Sequence, residues 1–96
     1  MKTLKFSWDE LKAKANIKKH DVSFEEAKSV FDDEFARLIP DPDHSINEER
    51  FILLGSSKIN ILTVVHCYRE NDEVIRIISA RKSTNKETKL YKEFLS

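Results

Sequence analysis

Two segments rich in β-branched residues, joined by a short polar turn, constrain the fold of this chain more than any other feature. Residues 59–69 and 73–80 are rich in Ile and Val, which favour strands. Asn71 and Asp72 lie between them, and both residue types tolerate the positive φ angles of a tight hairpin turn. The pattern predicts an antiparallel hairpin, around which the rest of the chain must pack.

Three matches to the S/T-x-x-E capping box predict where helices begin. They start at Ser7, Ser23 and Thr84, where a hydroxyl and a carboxylate can satisfy N–H groups that the first helical turn leaves unpaired. The predicted helices extend to about residue 19, to about residue 32 and to the C-terminus. The residues predicted to face the core are Trp8, Leu11 and Ala15, then Phe24, Ala27, Val30 and Phe31 with Val22 as a staple, and finally Leu90, Tyr91, Phe94 and Leu95.

Two shorter strands are predicted between the second and third helices. Residues 35–39 form a strand that stops at Pro40, residues 41–47 are a loop of turn formers, and residues 50–54 form the next strand. The element order is therefore α-α-β-β-β-β-α. Because short connections favour antiparallel neighbours, we expect one domain over residues 1–96 with an α+β fold: two N-terminal helices, a four-stranded mainly antiparallel sheet and a C-terminal helix.

Composition limits the class of protein. Apolar residues at 40% and charged residues at 35% of 96 positions fit one soluble domain. A single cysteine, no secretory leader and no apolar run near the roughly 20 residues of a spanning helix predict a cytoplasmic protein without a membrane partner. Net charge is zero, but residues 20–50 hold ten acids against three bases. This asymmetry is either ordinary solvated surface or a division between a basic region for RNA and an acidic region for a basic partner.

Cations around the hairpin are the first candidates for a functional site. Arg76 lies inside the last predicted strand, Arg81 and Lys82 follow at its exit, and Arg69 ends the preceding strand. Guanidinium groups held on a strand suit phosphate recognition, so nucleic acid is the first candidate substrate. The alternative is a set of surface salt bridges to the acidic residues near the turn.

His66 is the candidate for proton transfer. Its ordinary pKa near 6.5 suits acid–base chemistry, but a hydrogen-bonded and inert histidine at the end of a buried strand is an equal alternative. Cys67 follows it directly. Because successive strand residues point to opposite faces, we expect no Cys–His pair and interpret Cys67 as a small core residue.

The pairing register decides which of these residues share a face. If Asn71 and Asp72 form a two-residue turn, Arg69 pairs with Val74 and Cys67 with Arg76, so Arg69 and Arg76 lie on one face. In a regular strand the opposite face carries His66, Tyr68, Ser79 and Arg81. A β-bulge or a longer loop would merge the two sets.

No metal or other cofactor is expected. The polar loop contains Asp41, Asp43 and His44, with Glu48 and Glu49 after it, but their spacing matches no common metal site. The single glycine also excludes a glycine-rich phosphate loop.

Segments spread along almost the whole chain resemble the BrnT toxins of bacterial type II toxin–antitoxin systems. These segments are residues 6–10, 16–27, 30–33, 41–45, 49–51, Gly55, 64–66, 75–82, Glu87 and Tyr91. Two positions depart from the family pattern. Asp21 stands where the family usually has glycine, and Thr88 stands where an arginine commonly follows the helix glutamate.

The resemblance implies a RelE-like fold and an endoribonuclease that arrests growth by cutting RNA through the 2′-OH without a metal. It also implies a cognate, DNA-binding BrnA antitoxin. The toxin would contact DNA only as part of its complex with this antitoxin. On the matching positions, His66 would transfer a proton, Arg76 and Arg81 would stabilise transition-state charge, and Arg69 and Lys82 would bind the RNA backbone. The alternatives are a non-catalytic binding module with a basic strand edge, and an inactive homologue kept for transcriptional control.

Overall fold

One mixed sheet organises the fold, and the computed structural model describes residues 4–41, 48–93 and 95. The elements in chain order are β1 (Lys5–Ser7), α1 (Glu10–His20), α2 (Phe24–Ser29) with a following 3-10 turn (Val30–Asp32), β2 (Arg37–Pro40), β3 (Phe51–Ser56), β4 (Ile61–Arg69), β5 (Val74–Lys82) and α3 (Asn85–Glu93). The strand order is β1-β5-β4-β3-β2, antiparallel except for the parallel β1–β5 pair. Among the described residues, no helix combines the length and apolar character needed to cross a membrane.

The predicted α+β architecture is confirmed, but the sheet has five strands instead of four. The additional strand is β1, which pairs in parallel with the first three residues of β5. The prediction that the first helix begins at Ser7 is therefore wrong, because Ser7 belongs to β1. Asp9 caps α1 instead, and its carboxylate accepts hydrogen bonds from the N–H groups of Leu11 and Lys12 at 2.8 and 3.3 Å.

The predicted inward face of the first helix is also wrong. Leu11 is 78% exposed, and the buried residues of α1 are Ala13 and Asn16. Trp8 does pack on the core, with its ring 5.9 Å from that of Phe24, but it precedes the helix in an extended segment. Its position therefore sets no helical phase for the residues that follow.

The other two helices begin where the capping boxes predict. Ser23 accepts a hydrogen bond from the Glu26 N–H. Val22, Phe24, Ala27 and Val30 are buried as predicted, whereas Phe31, in the 3-10 turn after α2, is half-buried against the core. At α3, Thr84 and Glu87 exchange the two reciprocal hydrogen bonds of a capping box, at 2.9 and 3.2 Å. Tyr91 is buried, whereas Leu95 is 48% exposed, contrary to prediction, and Phe94 lies outside the described residues.

The hairpin between β4 and β5 has the register predicted from a two-residue turn. Asn71 and Asp72 have φ angles of 58° and 68°, and Arg69 pairs with Val74 as Cys67 does with Arg76. Farther along, His66 pairs with Ile77 but Val65 pairs with Ser79, so Ile78 is an extra residue in β5. This β-bulge shifts the alternation of every later residue of the strand.

Asn16 completes the backbone hydrogen bonding of β5 beyond the bulge. β1 pairs with β5 only as far as Arg76, so Ala80 has no partner in β1. The Asn16 amide group takes that place: Nδ2 donates to the carbonyl oxygens of Ala80 and Val22 at 2.7 and 2.9 Å, and Oδ1 accepts from the Ala80 N–H at 3.1 Å. A buried side chain of α1 thereby fixes the strand segment that leads to Arg81.

Candidate functional site

The two faces of the sheet carry different side chains. Residues that pair across neighbouring strands point to the same face, and alternate residues along a regular strand point to opposite faces. The face under α1 and α2, called here the aromatic face, carries Phe51, Leu53, Leu62, Val64, His66, Tyr68, Ile75, Ile77 and Ala80. The opposite face, called here the arginine face, carries all four arginines of the strands: Arg37, Arg69, Arg76 and Arg81.

The bulge at Ile78 brings Arg81 onto the arginine face. Arg81 pairs with Thr63, which lies four residues before Cys67, the partner of Arg76. The expectation for a regular strand, that Arg81 shares a face with His66, is therefore wrong, and the alternative with a bulge applies. The bulge does not merge all the candidates, because His66 stays on the aromatic face.

Strand β1 extends the arginine face with two residues that the sequence pattern does not predict as part of a site. Lys5 pairs with Val74 and Ser7 pairs with Arg76, so both point to the arginine face. An open cavity at this end of the sheet is lined by Lys5, Phe6, Ser7, Arg69, Glu70, Val74 and Arg76. Three cations therefore surround one recess beside the hairpin.

Arg76 is the cation of this group that is available to bind an anion. It is half-buried in the middle of the row Ser7–Arg76–Cys67. Within residues 4–41, 48–93 and 95, no carboxylate forms a hydrogen bond or ion pair with its guanidinium group. Its guanidinium group lines the recess and has no carboxylate partner in this part of the chain.

Arg69 has a carboxylate partner, but the pair is exposed. Its Nη2 atom lies 3.0 Å from Glu48 Oε2, with side chains 50% and 36% exposed. A hydrogen bond from the Cys67 thiol, followed by the charges of Arg69, Arg50 and Arg76, lowers the pKa of Glu48. Glu48 is thus an anion held among cations, and solvent screening makes its pair with Arg69 easy to exchange for another anion.

Arg81 is bound much more firmly. Its Nη1 and Nη2 atoms donate to the two oxygens of Glu87 at 2.7 and 3.0 Å. The Arg81 hydrogen bond, with help from the Thr84 N–H, lowers the pKa of Glu87 to about 2 and offsets the effect of burial. This bidentate pair ties α3 to the sheet, so Arg81 can reach an external phosphate with these donors only if it leaves Glu87.

His66 is enclosed on the aromatic face. It has 0% exposure, and its ring lies 4.9 Å from Phe31 and 5.2 Å from Tyr68 between ring centroids. Nε2 lies 3.2 Å from the Tyr68 hydroxyl, and burial lowers the pKa of the imidazole. The structure therefore does not bring His66 and Arg76 together, because the sheet separates them.

Lys82 also lies away from the other cations. It pairs with Leu62, which points to the aromatic face, and its ammonium group is 4.0 Å from Asp21. Asp21 ends α1 in the left-handed conformation, with φ 58° and ψ 36°. That backbone geometry explains why glycine suits this position.

The sequence contained only a weak signal for the residues that were missed. Arg37 alternates with apolar residues in a predicted strand, but its face depends on pairing with Leu54 and then Thr63. Lys5 and Ser7 lie in a strand of three residues, which is too short for a periodic pattern. Of the loop residues considered for a metal, Asp43 and His44 lie outside the described residues.

Comparison with known families gives one finding. A family model described as "Ribonuclease toxin, BrnT, of type II toxin-antitoxin system" matches residues 8–87, from Trp8 to Glu87 of α3. The match includes every strand except β1. A comparison with curated proteins gives no match.

Proposed function

Because the chain belongs to the BrnT family of ribonuclease toxins of type II toxin–antitoxin systems, we propose that its RNA-cleaving site is the recess on the arginine face. Arg76 contacts the scissile phosphate there, while Arg69 and Lys5 bind the backbone on either side. The observation that carries the proposal is the half-buried Arg76 guanidinium, which has cations on both sides and no carboxylate partner in the described part of the chain.

The reaction that suits this site is transesterification through the 2′-OH. The 2′-oxygen forms a bond to the adjacent phosphorus as the bond from phosphorus to the 5′-oxygen breaks, giving a 2′,3′-cyclic phosphate and a 5′-hydroxyl. Negative charge builds on the two non-bridging oxygens in the transition state. Fixed guanidinium donors stabilise that charge, which is how Arg76 would accelerate the step without a metal.

Proton transfer must be assigned on a sheet whose two faces separate His66 from Arg76. The closed environment of His66 supports a packing role. The 2′-OH proton then passes to water at the arginine face, and water there gives a proton to the departing 5′-oxygen. A direct catalytic role for His66 requires the half-buried Tyr68 hydroxyl to connect it to RNA, on the face opposite Arg76. Arg81 contributes charge only after release from Glu87, and Lys82 serves at most a distant part of the RNA.

The test compares cleavage of a synthetic single-stranded RNA by wild type, Arg76→Ala, Arg76→Lys and Lys14→Ala. Lys14 is an exposed cation of α1 and serves as the matched control. We expect Arg76→Ala to lose about 10²- to 10³-fold in rate, as removal of a transition-state donor does elsewhere. Arg76→Lys should recover part of the rate, and Lys14→Ala should retain all of it. Wild-type cleavage by Arg76→Ala would reject the site.

The 2′-OH step has its own control. RNA with a single 2′-deoxy nucleotide at the cleavage position should bind with unchanged affinity and remain intact. Cleavage of this substrate would reject transesterification while leaving the site open. Binding of ordinary RNA without any cleavage would instead favour a non-catalytic module, to which the carboxylate-bound Arg81 and the uncharged Thr88 lend support.

The same proposal includes the partners that the family implies. A type II system pairs the toxin with a cognate antitoxin, here a DNA-binding protein of the BrnA type that neutralises the toxin and alone contacts DNA. Growth arrest would follow from RNA cleavage in the cytoplasm. Co-expression with the antitoxin should restore the growth of cells that express the toxin. If Arg76→Ala stops growth as strongly as wild type does, toxicity does not depend on cleavage at this site.

A further inference from the structure

The outer edge of β2 exposes apolar side chains beside backbone that is not covered by another strand. β2 is the last strand in the sheet order, and β3 is its only strand partner among the described residues. Leu38, within β2, is 50% exposed, and Phe35, just before it, is 53% exposed. Edge strands with large exposed apolar residues are open to pairing with another chain.

Acidic residues surround both of these apolar side chains. The cavity that Leu38 lines also contains Glu48, Glu49, Phe51, Tyr68 and Asp72. The cavity that Phe35 lines contains Asp32, Asp33, Glu34 and one cation, Lys58, together with Ser29, Ser56, Ser57 and Tyr91. Asp33 is already engaged by the Ser56 N–H and the Tyr91 hydroxyl, and Glu48 by Arg69. The anionic rim therefore consists of Asp32 and Glu34 on one side of the strand and Glu49 and Asp72 on the other.

The opposite edge of the same sheet is cationic, whereas at the β2 edge the acids outnumber the cations Arg37 and Lys58. There β1 presents Lys5 beside Arg69 and Arg76. A polyanion is attracted to the β1 edge and repelled from the β2 edge. The acidic middle of the chain therefore collects at a location that suits a cationic partner, and RNA is disfavoured there.

We propose that the β2 edge binds an extended segment of a partner protein in which apolar residues alternate with Lys or Arg. The segment adds a strand beside Arg37–Ile39, its apolar side chains cover Leu38 and Phe35, and its cations meet the acidic rim. Pro40 has no N–H and ends the pairing, so only a short stretch of backbone is available. Side-chain contacts must then provide most of the affinity and the specificity.

The experiment selects binders from a displayed library of random peptides against the full chain, with Leu38→Asp as the counter-selection. We expect the enriched peptides to alternate apolar residues with Lys or Arg. Their affinity should fall at least about tenfold on Leu38→Asp, because an apolar contact is lost. It should not change on Ile59→Ala, a control at another exposed apolar residue. On binding, the Leu38 amide should become protected from hydrogen exchange.

Other results overturn the proposal. They are enrichment of acidic peptides, equal binding to Leu38→Asp, or no enrichment at all. RNA that displaces a selected peptide from wild type, and that itself binds Leu38→Asp at least about tenfold more weakly than wild type, would make nucleic acid the occupant. Concentration-dependent dimers that Leu38→Asp abolishes would make a second copy of the chain the occupant. RNA cleavage by Leu38→Asp should equal that of wild type, so failure of this inference leaves the proposed active site untouched.

Discussion

On one face of the sheet, the rings of Phe31 and Tyr68 enclose His66, whereas on the other the guanidinium groups of Arg69 and Arg76 meet solvent. Both faces carry residues that the sequence predicts as part of a catalytic or binding site. Burial lowers the pKa of the hydrogen-bonded His66 imidazole, while partial exposure leaves the arginines accessible. A side chain that is capable of acid–base or phosphate chemistry is therefore not always accessible to a substrate.

Removing the side chain that fixes β5 beyond the bulge should have the largest effect on the arrangement of the two faces. Asn16→Leu leaves the Ala80 N–H and C=O and the Val22 C=O buried without their amide partner. We expect a loss of about 3–5 kcal/mol in the free energy of unfolding, since each such group costs about 1–3 kcal/mol. Urea denaturation measures it, with Lys14→Ala as the control. A loss below about 1 kcal/mol would show that water replaces the amide.

A histidine replacement tests whether the aromatic face is only packing. His66→Ala should lower the free energy of unfolding by about 2–4 kcal/mol through the cavity it leaves. His66→Phe keeps the volume but cannot titrate, and we expect its cleavage rate to stay close to that of wild type. A folded His66→Phe variant that loses about 10²- to 10⁴-fold in rate would restore proton transfer as the role of His66.

The Arg81–Glu87 pair gives a pH-dependent test on the arginine face. The folded-state pKa of Glu87, about 2, lies below its ordinary value of 4.5. The pair therefore contributes full stability above about pH 4.5, and the contribution disappears as pH falls through about 2. We expect Glu87→Gln to cost about 1–2 kcal/mol at pH 7, because partial exposure of the pair screens it. The melting temperatures of the two proteins should converge near pH 2; a constant difference would assign the loss to packing.

The smallest expected effect comes from changing Asp21, the acid near Lys82 on the aromatic face. Asp21→Gly relieves a left-handed residue at the end of α1 and removes the acid near Lys82. We expect a gain of about 0.5–1 kcal/mol in stability, measured by thermal unfolding, and an unchanged cleavage rate. A raised rate would show that Lys82, once free of Asp21, does reach the RNA.

Local signals in the sequence predicted the parts of the fold that local interactions determine. Ser23 and Thr84 mark helix starts because their caps involve only residues three positions away. Asn71 and Asp72 set the first pairs of the hairpin because turn geometry fixes the register. These elements and the α+β class followed from the sequence.

The site depends on contacts between residues far apart in the chain. β1 is three residues long and becomes a strand only through β5, more than sixty residues later. The segment of β5 beyond the bulge is held by Asn16, and the burial of His66 depends on Phe31 and Phe51. No local pattern contains these partners, so the sequence supplied the cations but not the face on which each would lie.

The extra residue at position 78 has a consequence for how this chain tolerates mutation. Side chains along a strand alternate between the two faces of the sheet. One inserted residue therefore reverses the face of every residue that follows it. Losing the codon for Ile78 would remove the extra residue and leave a regular strand in which Ser79 still pairs with Val65 and Arg81 with Thr63, so Arg81 would stay on the arginine face. A single in-frame deletion at position 78 would thus do less harm than one in β4, where every residue from Leu62 to Arg69 is paired with β5 and one lost residue would slip the register.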